Sequence, residues 1–219
     1  MNGAPVLRIW GRRSSFNVQK VMWLVGELGL PHEHIPAGGD FGGLDTPEFL
    51  AMNPNGLVPV IADGGTVVWE SHTILRYLAA RRGAGRFWAA DPGERSKADR
   101  WLDWACALQQ DFLGGVFWGF YRTPGAQRDE AAISASVRKC AERFKLLDRW
   151  LEGRAFMLGD DLSLADIPAG AMLYRYFGLE IDRPALPNVE DWYERLTARP
   201  AYREHVMIPF GELFGRLDY

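Results

Sequence analysis

Residues able to do chemistry gather in one stretch, Asn53 to Leu78. Asn53-Pro-Asn-Gly-Leu-Val-Pro59 leads into a short apolar run, the turn residues Asp63-Gly64-Gly65, Val67-Val68-Trp69, and then Glu70-Ser71-His72-Thr73. Val58 precedes a proline and is held extended, and Pro59 has no N–H to give a neighbouring strand. A free backbone edge at Val58 follows, suited to pairing with an added peptide strand. At Glu70 and Ser71 a helix begins, where unbonded N–H groups and the positive end of the dipole favour a carboxylate. The Ser71 hydroxyl and a Glu70 carboxylate able to take an ammonium complete a clamp for an amino acid zwitterion. The stretch therefore reads as a holder for a small peptide. An ordinary hairpin followed by a capped helix accounts for the same residues.

The elements that must position this clamp are legible on either side. Val6 to Trp10 forms a first strand, with Gly11-Arg-Arg13 as its exit. Val18, Val21, Met22, Val25 and Leu28 are spaced for a helix, ended by Gly29 and Pro31. His32 to Ile35 gives a second strand, so strand, helix and strand imply a parallel, right-handed crossover. The glycines of Gly38 to Gly43 lack the strand and spacing of a dinucleotide fingerprint or a P-loop. Thr46 to Met52 makes a short helix, and Val60 to Trp69 a hairpin around Gly64-Gly65. The first domain, βαβ followed by ββα, spans residues 1–82, with a linker at 83–93.

From 94 to 219 strand signals stop and helical patterns take over. Trp101, Ala105, Leu108 and Phe112 share a face that Gly114-Gly115 is expected to break, bending the helix over a pocket. Ile133, Val137, Cys140, Phe144, Leu147 and Leu151 mark a bundle helix. Ser163-Leu-Ala-Asp166 has capping-box spacing, with Ser163 as N-cap and Asp166 at the third helical position. The tail past Val206, with Pro209, Phe210 and Phe214, has no assignable place. The fold class is thus α/β plus all-α.

Composition narrows the function. Over 219 residues, 25 basic against 28 acidic side chains leave a net charge of -3, which gives no electrostatic reason to bind nucleic acid or an anionic membrane. No apolar run approaches the roughly 18 residues of a membrane span, and no secretory leader opens the chain, so a cytoplasmic protein is expected. Cys106 and Cys140 form no Cys-x-x-Cys and read as structural thiols in a reducing compartment. His32 and His34 lack a third ligand at a metal-like spacing, so no metal is expected.

Asn-Pro-x-Gly-x-Val-Pro, followed eleven residues after Pro59 by Glu-Ser and then Ile-Leu-x-Tyr-Leu, resembles the glutathione-binding half of the cytosolic glutathione transferases. Leu-Ser-Leu-Ala-Asp-Ile and the segment from Leu186 to Pro200 resemble the helical half of the same family. The resemblance implies a thioredoxin-like N-terminal domain with cis Pro59 and a helical-bundle C-terminal domain. It implies that Gly56, Leu57, Val58, Pro59, Glu70, Ser71 and His72 bind glutathione, the Val58 backbone bonding its cysteinyl part and Glu70 and Ser71 its γ-glutamyl end. Homodimerisation is implied as well.

Such an enzyme must keep a thiol ionised near neutral pH, because the thiolate is the nucleophile. Lowering a thiol pKa from about 8.5 to roughly 6.5 needs about 2.7 kcal/mol, within reach of one or two hydrogen bonds to the anion. Ser14-Ser-Phe-Asn17 offers such donors at a helix start, although by residue physics alone both serines fit as caps. The resemblance assigns the catalytic role to Ser15 first, Asn17 second and Ser14 third. Ser15-Phe-Asn17 is similar to the Ser/Thr-x-Asn form of Nu-like members, and Arg13-Ser-Ser15 to the zeta-like start. No loop cysteine supports mixed-disulfide chemistry there. Gly56 stands where some classes carry a basic residue, leaving His72, Arg12 and the Gly38–Gly43 loop to hold the glycyl carboxylate. Trp10, Phe112, Trp118 and Tyr121 are expected to wall a pocket for a hydrophobic electrophile. A glutathione-dependent disulfide or peroxide reductase and a non-catalytic relative are the alternatives.

Overall fold

The structure, a computed structural model, describes residues 6–217. A four-stranded sheet in the order β2-β1-β3-β4 forms the N-terminal layer, from β1 (Leu7–Trp10), β2 (His32–Ile35), β3 (Val60–Asp63) and β4 (Thr66–Trp69). β1 and β2 are parallel, joined through α1 (Phe16–Glu27). β3 runs antiparallel to β1, and β4 returns antiparallel to β3 across the two-glycine turn. The Val58–Pro59 peptide is cis, as the resemblance implies. α2 (Pro47–Met52) is capped by Thr46, whose Oγ1 accepts from the Phe49 amide at 3.3 Å.

α1 is the element around which the two halves meet. Its residues from Phe16 through Val25 are buried apart from Asn17, so it is apolar on more than one side. It packs against α3 (Ser71–Arg82), α6 (Asp166–Gly178) and α8 (Pro200–His205). Trp23 meets Tyr202 edge to face at 4.8 Å, and a Cβ on Gly170 would sit 3.0 Å from the Trp23 ring. Truncating that ring to alanine would cost about 3–5 kcal/mol. Glu27, its side chain 5% exposed at the end of α1, pairs with Arg86 at 2.9 Å and Arg199 at 2.5 Å, tying it to the linker and to the approach to α8. The body and end of α1 are therefore fixed by contacts with both halves.

α4 (Pro92–Gln109) does not break at Gly114-Gly115. It continues without interruption into a π-helical segment, Gln110–Arg122, whose last turn closes with the Thr123 amide on the Trp118 carbonyl at 2.8 Å. The glycines serve a different purpose from the expected break. A Cβ on Gly115 would stand 2.3 Å from the Ser136 hydroxyl, so its absence lets α5 (Glu130–Leu151) approach closely. Gly114 meets no atom within 4 Å and leaves space beside the segment.

The turn at Ser163 also departs from the expected box. The Asp166 carboxylate accepts from the Ser163 amide at 2.8 Å, but the Ser163 hydroxyl donates to that carboxylate instead of capping the helix. Asp166 further accepts from the Met157 amide and the Trp192 indole N–H, the latter bringing in α7 (Pro187–Thr197). It is a buried brace, as a structural reading requires. The unplaced tail folds back on the aromatic face: Phe210 packs on Phe117, Tyr121 and Tyr174, and the Gly215 amide donates to the Tyr121 carbonyl. Among the described residues no helix is long and apolar enough to cross a membrane.

Candidate active site

A cavity of about 590 Å³ opens between the halves, lined by the start of α1, the start of α3, the inner face of α4 and the π-helical segment. Gly11 delivers the chain to it. Its φ of 151° and the Val18 methyl 2.3 Å from where a Cβ would stand leave room for glycine only. The loop that follows is held from several sides. Arg175 donates to the Ser14 carbonyl at 2.6 Å, Gln19 to the Arg13 carbonyl at 3.1 Å and Arg13 to the Glu204 carbonyl at 2.9 Å.

Ser14, Ser15 and Asn17 all line the cavity. Ser15 is the N-cap residue by backbone geometry, yet its hydroxyl makes no bond to the first turn of α1. Capping does not consume it. Asn17 is a hub: its Oδ1 accepts from Gln109 at 3.2 Å and from the Ser71 hydroxyl at 3.5 Å.

Glu70, Ser71 and His72 come to the same cavity at the head of α3. Glu70 is the only non-glycine residue with positive φ among the described residues, at 67°. Such a backbone costs about 1–3 kcal/mol and is retained where the surroundings demand it. Here it turns the chain from β4 into α3 and leaves an exposed carboxylate on the cavity wall. Gly56, Leu57, Val58 and Pro59 are not on this wall. Val58 instead flanks the β1 exit, its Cβ 3.3 Å from where one on Gly11 would stand. Asn53 braces this loop by donating to the Leu57 carbonyl at 2.8 Å.

Of the four aromatics expected around a second ligand, Trp118 alone lines the cavity. Phe112 is fully buried against Tyr176, because the helix does not break beside it. Trp10 packs with Ala37, Phe49 and Val60 beneath the sheet, and Tyr121 stacks on Phe117 and meets the tail at Phe210 and Phe214. Nor is the wall purely apolar. Arg122 lies 3.8 Å over the Trp118 ring and Arg175 4.8 Å over Phe117, and both line the cavity.

Lys20, Gln109 and Cys106 escaped the sequence reading as site residues. Lys20 is 1% exposed, with Nζ 3.0 Å from Nε2 of His72 and donating to Gln109 Oε1 at 3.0 Å. Burial lowers its pKa to about 7. Burial and the nearby Lys20 and Arg76 charges lower His72 to about 3, keeping its ring neutral. With both ring nitrogens turned to Lys20 and Cys106, His72 offers no cation to a carboxylate. Arg12 lines the cavity beside Gly38, whose Cβ would sit 3.2 Å from its guanidinium. The spacing of Asn17 and Lys20, three apart on α1, was the available signal. His32 and His34 face the Leu30 and Gly11 carbonyls, and among the described residues no cluster of three His, Cys, Asp or Glu could hold a metal ion.

Comparison with known proteins agrees with this architecture. The family model for the glutathione S-transferase N-terminal domain matches residues 14–81, and that for the C-terminal domain matches residues 105–200. The chain is 42% identical over 206 residues to glutathione S-transferase GstB of Escherichia coli K12, covering 93% of this chain and 99% of that protein. It is 30% identical over 192 residues to the disulfide-bond oxidoreductase YfcG of the same strain, covering 84% and 87% of the two chains. A theta class glutathione S-transferase of Xanthomonas axonopodis pv. citri, solved with glutathione bound, superposes with a TM-score of 0.86 at 42% identity, covering 94% of this chain and 99% of that one. The chain belongs to the glutathione S-transferase family.

Proposed function

We propose that this protein binds glutathione in the cavity between its halves and activates the thiol for attack on a hydrophobic electrophile. The observation that carries the reading is the Ser15 hydroxyl, on the cavity wall at the start of α1 and unused as a helix cap. A thiolate placed there gains a charge-assisted hydrogen bond and the positive end of α1. Asn17 holds a second donor near it through its bonds to Gln109 and Ser71. Glu70 and Ser71 take the γ-glutamyl zwitterion, the cysteinyl backbone runs past the cavity wall to pair with Val58 beside Gly11, and Arg12 holds the glycyl carboxylate. Trp118, exposed on the cavity wall beside Arg122, presents its ring to a planar electrophile.

The protein acts as a cytoplasmic homodimer in this reading. Supporting it, Leu57, Val67 and Trp69 expose apolar surface along the β3–β4 hairpin, a face a second copy would cover. Steady-state conjugation of glutathione to a panel of aryl halides tests the proposal. Turnover that falls at least a hundredfold in Ser15→Ala supports it, and no turnover on any of the panel by a protein that binds glutathione contradicts it.

A further inference from the structure

We infer that Cys106 exchanges with glutathione disulfide to form a reversible mixed disulfide inside the cavity, with His72 and Lys20 relaying its proton. The inference rests on the glutathione reading above but concerns a residue that conjugation does not use.

Three elements bring the three residues together: Lys20 from α1, His72 from α3 and Cys106 from α4. The Cys106 sulfur lies 3.5 Å from Nδ1 of His72, and Nε2 of the same ring lies 3.0 Å from the Lys20 nitrogen. Cys106 is exposed to the cavity, whereas Lys20 is buried beneath it. Among the described residues Lys20 has no carboxylate in ion-pair contact. Its direct partners are the neutral His72 ring, the Gln109 carbonyl and the face of the Phe16 ring at 4.9 Å, with Glu70 acting on it from a distance. A buried cation in that position is best satisfied by an anion nearby. The Cys106 thiolate supplies one.

The proton balance follows from these partners. With Lys20 as the free amine, the Cys106 S–H, which also reaches the Leu102 carbonyl at 3.7 Å, turns to Nδ1 and the Nε2 N–H donates to Lys20. Transfer along both bonds leaves a thiolate facing an Nδ1 N–H and an ammonium facing Nε2. The imidazole is neutral before and after, in keeping with a pKa of about 3 beside Lys20 and Arg76. The Lys20 pKa of about 7 makes both of its states accessible near neutrality. The thiolate then attacks one sulfur of glutathione disulfide. The disulfide's S–S bond breaks, the Cys106–glutathionyl bond forms, and a glutathione thiolate leaves, taking the proton back from Lys20 through His72. Attack by reduced glutathione on the mixed disulfide reverses the step. While it persists, the glutathionyl group fills the cavity shared with Ser15 and Asn17, so an oxidised pool silences conjugation.

Cys140 is the internal control. It is 1% exposed in the core, where burial pushes its thiol up to about 12.

The test is to incubate the full-length protein with glutathione disulfide at neutral pH and follow adducts by intact-mass spectrometry and peptide mapping. One glutathionyl group on Cys106, none on Cys140, and its removal by reduced glutathione are expected. Lys20→Met is expected to slow adduct formation about tenfold, because the proton passed to His72 then has no acceptor beyond the ring. Calorimetric titration of untreated protein with reduced glutathione separates the two ideas. Binding without an adduct, or a Cys106 that reacts no faster than in the urea-unfolded chain, overturns the exchange proposal alone. Absence of binding takes the glutathione reading with it.

Discussion

The Lys20 ammonium lies 3.0 Å from Nε2 of His72, in a position 1% exposed and without a carboxylate in contact with it among the described residues. That relationship makes a charged Lys20 costly to maintain. Because the folded pKa of Lys20 is lowered from 10.5 to about 7, the unfolded chain holds a proton between those values that the folded chain does not. Folding stability therefore rises with pH across this window and is lost as pH falls towards 7. Urea denaturation should show a gain of about 2 kcal/mol from pH 7 to 9 that Lys20→Met removes, with the variant the more stable at pH 7. A pH profile identical in the two proteins would contradict the assignment.

Glu70 stores strain where a ligand's ammonium is expected. Replacing it with glycine relieves the positive φ, so Glu70→Gly should raise stability by about 1 kcal/mol while weakening glutathione binding. Glu70→Gln keeps the strain and loses only the charge, so it should weaken binding without that gain. Thermal melts paired with calorimetric titration distinguish the two effects. A destabilised Glu70→Gly would show that the surroundings, not the φ angle, dominate there.

The close approach of the π-helical segment to α5 depends on Gly115. A Cβ there meets the Ser136 side chain at 2.3 to 2.5 Å, so Gly115→Ala should cost about 1–3 kcal/mol. Combining it with Ser136→Gly should recover much of the loss, because the two changes share one contact. Strictly additive losses in a double-mutant cycle would exclude that contact as the cause.

Asp166 accepts four hydrogen bonds while fully buried. Burial pushes its pKa up to about 6 and the four donors pull it down. Asp166→Asn turns an N–H towards donors and should destabilise the fold by about 2–4 kcal/mol. Activity per folded molecule should stay unchanged, measured at a temperature where the variant remains native.

Local rules carried much of this fold. Periodicity and turn residues placed all four strands, the crossover helix and the bundle helix, because each is a period-2 or period-3.6 pattern bounded by glycine or proline. Gly114-Gly115 misled because glycine marks close packing as well as helix ends, and a single chain of letters does not say which neighbour approaches. Phe112 reads from sequence as a pocket residue for the same reason. Ser14, Ser15, Asn17, Glu70 and Ser71 were legible as a set only with the family resemblance, since each also fits as a helix-start residue. Lys20, Gln109 and Cys106 stayed hidden because their role depends on contacts spanning 34 to 92 residues of chain. The tail's place on Phe117 and Tyr121 is likewise purely tertiary.

The central claim is that Ser15 holds the glutathione thiol as its anion. Ultraviolet absorbance of the thiolate, followed through a pH titration of the glutathione complex, reads that state directly. In the wild type the bound thiol should titrate well below free glutathione, and Ser15→Ala should move it back by about one unit or more, the loss of one charge-assisted hydrogen bond. Bound glutathione that titrates like the free tripeptide in both proteins would contradict the account and return Ser15 to the role of a helix-start residue.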